Sequence, residues 1–162
     1  MDKELILRAV TELGELLSLE DDTLATAESC TGGLIASTLT DVSGSSEWFR
    51  GGVVAYANEV KENILGVPQS ELQTHGAVSE EVVKHMAMGV QKAVGANVSV
   101  AVSGIAGPTG GTPEKPVGTV WIAWAINGSV ARTKHNVFFG TREEIKNQTV
   151  MHAVNGLLAI LR

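Results

Sequence analysis

Cysteine, tyrosine and basic residues are the scarce components of this 162-residue chain: it has one Cys, one Tyr, and twelve Lys plus Arg against eighteen Asp plus Glu. The lone Cys30 excludes an intrachain disulfide and any Cys-x-x-Cys metal or redox pair, and a reduced, cytoplasmic setting is the expectation. The net charge of −6 speaks against a generally basic surface for nucleic acid or anionic membranes, though not against a local anion site. No eighteen uncharged apolar residues run together, and the opening MDKELILRAVTELGELL is charged throughout, so neither a membrane span nor a secretory leader is expected. The four histidines, His75, His85, His135 and His152, show no H-x-x-x-H or H-E-x-x-H spacing, and no metal site is expected.

What the chain does have is glycine, 18 residues, above a background of about 7%. Its 44% hydrophobic and 19% charged residues suffice for a core, and the length fits one domain over residues 1–162. From Asp2 to Leu19 apolar residues recur at three- and four-residue steps, which predicts an amphipathic helix. Thr23–Glu28 reads as a strand, the TGG at 31–33 as a tight turn, and LIASTLTDV as a helix. Trp48–Ala57 reads as a strand broken by Gly51 and Gly52, followed by a helix from Asn58 to Leu65 with Asn58 as its N-cap. Ser79, followed by Glu80 and Glu81, starts a helix to Val94. The buried strand NVSVAVSG opens into the glycine- and proline-rich GIAGPTGGTPEKP loop. Residues 117–126 and 129–139 pair around Asn127-Gly128, a strong hairpin signal, and Thr141 with Glu144 forms a capping box for a last helix to Leu161. This alternation predicts a single-domain α/β layered structure with a mixed β-sheet flanked by helices.

Ligands of open α/β sheets gather at strand-end loops, and four such loops are rich in Gly and hydroxyl residues: 28–33, 44–49, 56–61 and 103–111. Ser29 lies at a strand-to-helix bend, where it either presents its oxygen to a ligand or, like Thr31, caps the helix; the full G-x-S-x-G elbow is absent. SGIAGPTGG lacks the G-x-x-x-x-G-K-[ST] pattern, so it is either an anion cradle or an ordinary turn. Lys61, counted from an Asn58 cap, falls where a capping box prefers Glu or Gln, and a cation there opposes the helix dipole. It is either a solvated surface lysine or an amine whose pKa the helix end lowers toward general-base use. Cys30 is either an inert small hydrophobe or the nucleophile of a thiol amidase. Arg142, in the first turn after Thr141, is either a surface charge or a partner for an anionic ligand.

TLATAESCTGG, GSSEWFRGGVVAYANEVKENILGV, THGAVSEEVV, VSGIAGPTGG and KPVGTVWIA, in that order across nearly the whole chain, resemble the nicotinamide-nucleotide amidohydrolase family, the domain also found as the C-terminal part of the competence/damage-inducible protein CinA. The resemblance implies a cytoplasmic, cofactor-free enzyme that converts nicotinamide mononucleotide to nicotinate mononucleotide and ammonia in pyridine-nucleotide salvage. Matched residue by residue, it places a Ser/Lys dyad on Ser46 and Lys61, with Tyr56 and Ser103 orienting the lysine or the substrate amide. The nucleotide is assigned to Ser29, Thr31, Gly32, Gly33, Gly104, Gly107 and Arg142. The alternative is a non-catalytic nucleotide-binding or regulatory module. Partners are then a small-molecule nucleotide and, from exposed apolar strands, further copies of the chain in a homo-oligomer, with no nucleic acid or membrane. The four loops are expected to converge in space.

Overall fold

The structure is a computed structural model that describes residues 1–162. A five-stranded mixed sheet has the order β2-β1-β3-β4-β5, with β1 (Leu24–Glu28), β2 (Phe49–Val54), β3 (Val98–Gly104), β4 (Thr119–Ile126) and β5 (Ser129–Val137). The first three strands run parallel, and β4 and β5 complete the sheet antiparallel. The hairpin between them turns at Asn127 and Gly128, both at positive φ, which matches the twist of the flanking strands.

Helices cover both faces. On one lie α1 (Lys3–Leu19), α2 (Leu34–Thr40) and α6 (Arg142–Leu161), packed on Leu24, Val98, Val100, Val102, Ile122 and Trp124. On the other lie α3 (Asn58–Leu65), α4 (Gln69–His75) and α5 (Glu80–Val94), packed on Ala25, Ala27, Ala101, Ala123 and Ala125. Alternating side chains point to opposite faces of a strand, so the sheet is bulky towards α6 and almost flat with alanine towards α5. Two glycines bring helices still closer. A Cβ on Gly89 of α5 would collide with the carbonyl of Leu65, and one on Gly156 of α6 with the Trp124 indole, whose Nε1 donates to the Ala153 carbonyl at 2.9 Å.

The capping box at Thr141 and Glu144, the Ser79 cap and the stop at Gly95 all form as expected. Differences are local. β2 continues through Gly51 and Gly52 but its pairing with β1 slips by one residue at Arg50, and Gly52 lies so close to Thr26 of β1 that a side chain there would strike it. Ala57, not Asn58, caps α3, without a side-chain bond. The short helix α4 went unpredicted, since seven polar-rich residues carry little periodicity. No helix is long and apolar enough to cross a membrane.

The carboxyl ends of β1, β2 and β3 share one end of the sheet. From β1 the chain crosses through α2 to β2 on one side; from β2 it crosses through α3, α4 and α5 to β3 on the other. The loop after β1 leads to β2 and the loop after β3 to β4, on opposite sides of the β1–β3 pair, so the two part company and open a crevice at that end. Because the Gly89 contact is with backbone, no rotamer change relieves it, and Gly89→Ala is expected to cost about 1–3 kcal/mol, measurable as a lower urea midpoint at unchanged m-value.

Candidate active site

Ser29 is the first residue past β1, and its N–H continues the parallel ladder by donating to the Val102 carbonyl at 3.0 Å. The chain then turns through Gly32 and Gly33, both at positive φ, into α2. Across the crevice, Lys61 of α3 is only 1% exposed. Its Nζ lies 3.0 Å from the Ser29 Oγ and donates to the Tyr56 carbonyl, also at 3.0 Å. No carboxylate stands within ion-pair distance of it. Burial therefore pulls its pKa below the ordinary 10.5, opposed only by the neighbouring Cys30. A buried amine whose neutral form desolvation favours, in contact with a serine hydroxyl, is an arrangement that can pair a base with a nucleophile.

The pair opens into a cavity of about 340 Å³. Ser103 and Gly104 at the end of β3, then Ala106, Gly107, Thr109 and Gly110, form one wall; Ala77 and Val78, between α4 and α5, and Asn58 of α3 form another. Lys115 fastens the glycine loop across to α4 by donating to the His75 carbonyl at 2.7 Å. At the mouth Arg142 donates to the Gly107 carbonyl at 2.7 Å and to the Tyr56 hydroxyl at 3.1 Å. The cavity lining contains no carboxylate, while it contains two basic side chains, Lys61 and Arg142. A larger surface groove, about 700 Å³, runs between α3 and α5 past Ile64, Met88 and Asn127, but it holds no serine, threonine or cysteine to act as nucleophile.

Residues 7–161 match the family model of the CinA C-terminal domain. The chain belongs to that family. It is 51% identical over 150 residues to a protein of Pseudomonas putida named nicotinamide-nucleotide amidohydrolase PncC, covering 93% of each chain. It is 54% identical over 142 residues to a CinA-like protein of Akkermansia muciniphila, where the match takes 88% of this chain and 34% of the relative. The family thus includes proteins of about this length and others of which this chain spans about a third. The crystal structure of the competence/damage inducible protein CihA from Agrobacterium tumefaciens superposes with a TM-score of 0.89 at 42% identity, over 99% of this chain and 95% of that one.

Within this member of the family, three of the four expected loops converge: 28–33, 56–61 and 103–111. The fourth does not. Ser46 lies in a 3-10 turn, Ser45–Glu47, ahead of β2, and the Leu24 N–H donates to the Trp48 carbonyl, which fixes that turn at the amino end of β1. Ser29 and Lys61 are at the carboxyl end. With about 3.3 Å of rise per residue, the length of β2 separates Ser46 from Lys61 by roughly 20 Å, so the expected Ser46–Lys61 contact is corrected to Ser29–Lys61. Tyr56, Ser103, Gly104, Gly107 and Arg142 do border the cavity. Thr31, Gly32 and Gly33 are absent from its lining; Thr31 is buried and its hydroxyl donates to Glu28. Neither Ser29 nor Thr31 caps α2, whose N-cap is Gly33. The Lys61 pKa falls through burial, not through the helix end.

Asn58, Thr109 and Gly110 fall within the expected loops 56–61 and 103–111, whereas Ala77 and Val78 lie outside all four. The THGAV segment carries no reactive side chain at Ala77 or Val78, and only the tertiary fold brings them to the cavity. Cys30 also borders the cavity, yet burial pushes its thiol up to about 12, with Glu28 adding to the shift; a protonated thiol is a poor nucleophile. Ellman's reagent at neutral pH is expected to react with Cys30 only as fast as the protein unfolds, and promptly in denaturant.

Proposed function

We propose that the chain is a nicotinamide-nucleotide amidohydrolase that converts nicotinamide mononucleotide to nicotinate mononucleotide and ammonia, within pyridine-nucleotide salvage. The observation that carries the reading is the buried contact between Lys61 and Ser29 at the closed end of a carboxylate-free cavity, in a chain half-identical to proteins named for that activity.

In this mechanism neutral Lys61 accepts the Ser29 proton as Oγ attacks the carboxamide carbon. The carbon–oxygen double bond opens to an oxyanion. Its candidate donor is the N–H of Cys30, next after the nucleophile, which has no carbonyl acceptor in the protein; this is where acyl-transfer serines commonly find one. Lys61 then gives its proton to the departing nitrogen, the carbon–nitrogen bond breaks, and ammonia leaves an ester on Ser29. Water attacks the ester with Lys61 again as base, and the proton passes back to Ser29 as the carboxylate is released. Tyr56 holds the amine through its carbonyl, Ser103 faces the reacting group, and Arg142 with Thr109 and Gly110 receives the phosphate.

Ammonia release from nicotinamide mononucleotide, with free nicotinamide and glutamine as controls, tests the reading; saturable binding without turnover would instead make the chain a nucleotide-binding module. Ser29→Ala and Lys61→Met are each expected to lower kcat by about 10²–10⁴-fold, while Ser46→Ala stays near wild type. Loss of activity in Ser46→Ala with retention in Ser29→Ala would refute the pairing. The base must be neutral, so kcat/KM is expected to rise with pH through the lowered Lys61 pKa and then level off. Stability follows the same sign: between that pKa and 10.5 the unfolded chain holds the extra proton, and the folded state gains as pH rises.

A further inference from the structure

Glu28, directly before Ser29, is a carboxylate only 1% exposed with no basic side chain within ion-pair distance. Burying an ion without a counter-ion is costly unless every lone pair finds a donor. Here the donors are all local. Oε1 accepts from the Thr31 hydroxyl at 2.6 Å and from the Ile35 N–H at 2.8 Å, and Oε2 accepts from the Ala36 N–H at 3.0 Å. Helix α2 begins after Gly33, which has no side chain to cap it, so Glu28 supplies from seven residues upstream the acceptors that a capping side chain normally provides.

This closes a ring around the nucleophile. Upstream of the turn, the Glu28 carbonyl accepts from the Ala55 N–H at 2.8 Å, and the Ser29 N–H donates to Val102. Downstream, the Glu28 side chain holds Thr31 and the start of α2. The two glycines in between, with their wide conformational freedom, are spanned at both ends. The same Glu28 carbonyl steadies Ala55 and hence the segment whose Tyr56 carbonyl holds Lys61. Ser29 and Lys61 both take their place from this one residue.

We propose that Glu28 is a positioning residue, whose buried carboxylate holds the Ser29 turn so that Oγ stays in reach of the Lys61 amine. It touches neither substrate nor reacting atoms, and it leaves the N–H groups of α2 engaged rather than open to a ligand phosphate. The inference rests on Ser29 and Lys61 being the reacting pair, so Ser29→Ala accompanies the test.

Glu28→Gln preserves shape but presents an NH₂ to a donor. In a protein that still melts cooperatively, kcat is expected to fall about 10²-fold with KM within about threefold, the signature of a displaced reacting atom. Thr31→Val, which removes one donor and leaves the charge, is expected to lower kcat about tenfold, and Thr31→Ser to restore it. A folded Glu28→Gln with wild-type kcat, or one whose loss lies in KM, overturns the proposal. If Glu28→Gln does not fold, Thr31→Val decides: an unchanged kcat, or no recovery in Thr31→Ser, overturns it. Activity surviving in Ser29→Ala would refute the reacting pair itself, a result distinct from failure at Glu28.

Discussion

A lysine buried without a carboxylate is the constraint on which the site depends. Lys61 is enclosed among Cys30, Ser29 and the Tyr56 carbonyl, and the loss of hydration, which only Cys30 opposes electrostatically, shifts it toward the neutral form. An acidic neighbour would stabilise the ammonium and remove the base. The cavity lining holds no carboxylate, and the acidic surplus of the chain lies elsewhere, on exposed helix faces and in the sealed pocket of Glu28.

The two buried ionisable groups on either side of Ser29 are handled in opposite ways. Glu28 has three donors and ties a glycine-rich turn with them; Lys61 has two oxygen partners, one of which is the Ser29 hydroxyl. The chain places them 33 residues apart in sequence and on different faces of the sheet. Arg142 plays the tethering part at the mouth, where it joins α6, the glycine loop and the 61% exposed Tyr56.

Strand and helix identities were readable because their signals are local: the Asn127-Gly128 turn, the Thr141–Glu144 box and the periodicity of α1 each need only neighbouring residues. The site was half readable. Lys61 stands out in the sequence as a misplaced cation at a helix start, but the cap is at Ala57 and it is burial that lowers its pKa. The choice between Ser46 and Ser29 was beyond local pattern. Both sit in Gly- and Ser-rich turns; only the direction of β2 relative to β1 shows that one lies at the far end of the sheet. Glu28 was invisible for a similar reason, since a glutamate ending a strand gives no sign that its carboxylate folds back onto a helix starting six residues later.

The alanine face of the sheet has a consequence for how the reacting distance is kept. Lys61 rides on α3, α3 leans on α5 through the bare backbone of Gly89, and α5 rests on five alanines. The small sheet side chains leave room for the larger ones of α5, Val82, Val83, Met86 and Val90, so the spacing from sheet to Lys61 is set by one layer of side chains and by the backbone contact at Gly89. A methyl group added at Gly89 would press on the Leu65 carbonyl and push α3 outward, so the distance from Lys61 to Ser29 is written into a position outside the cavity lining.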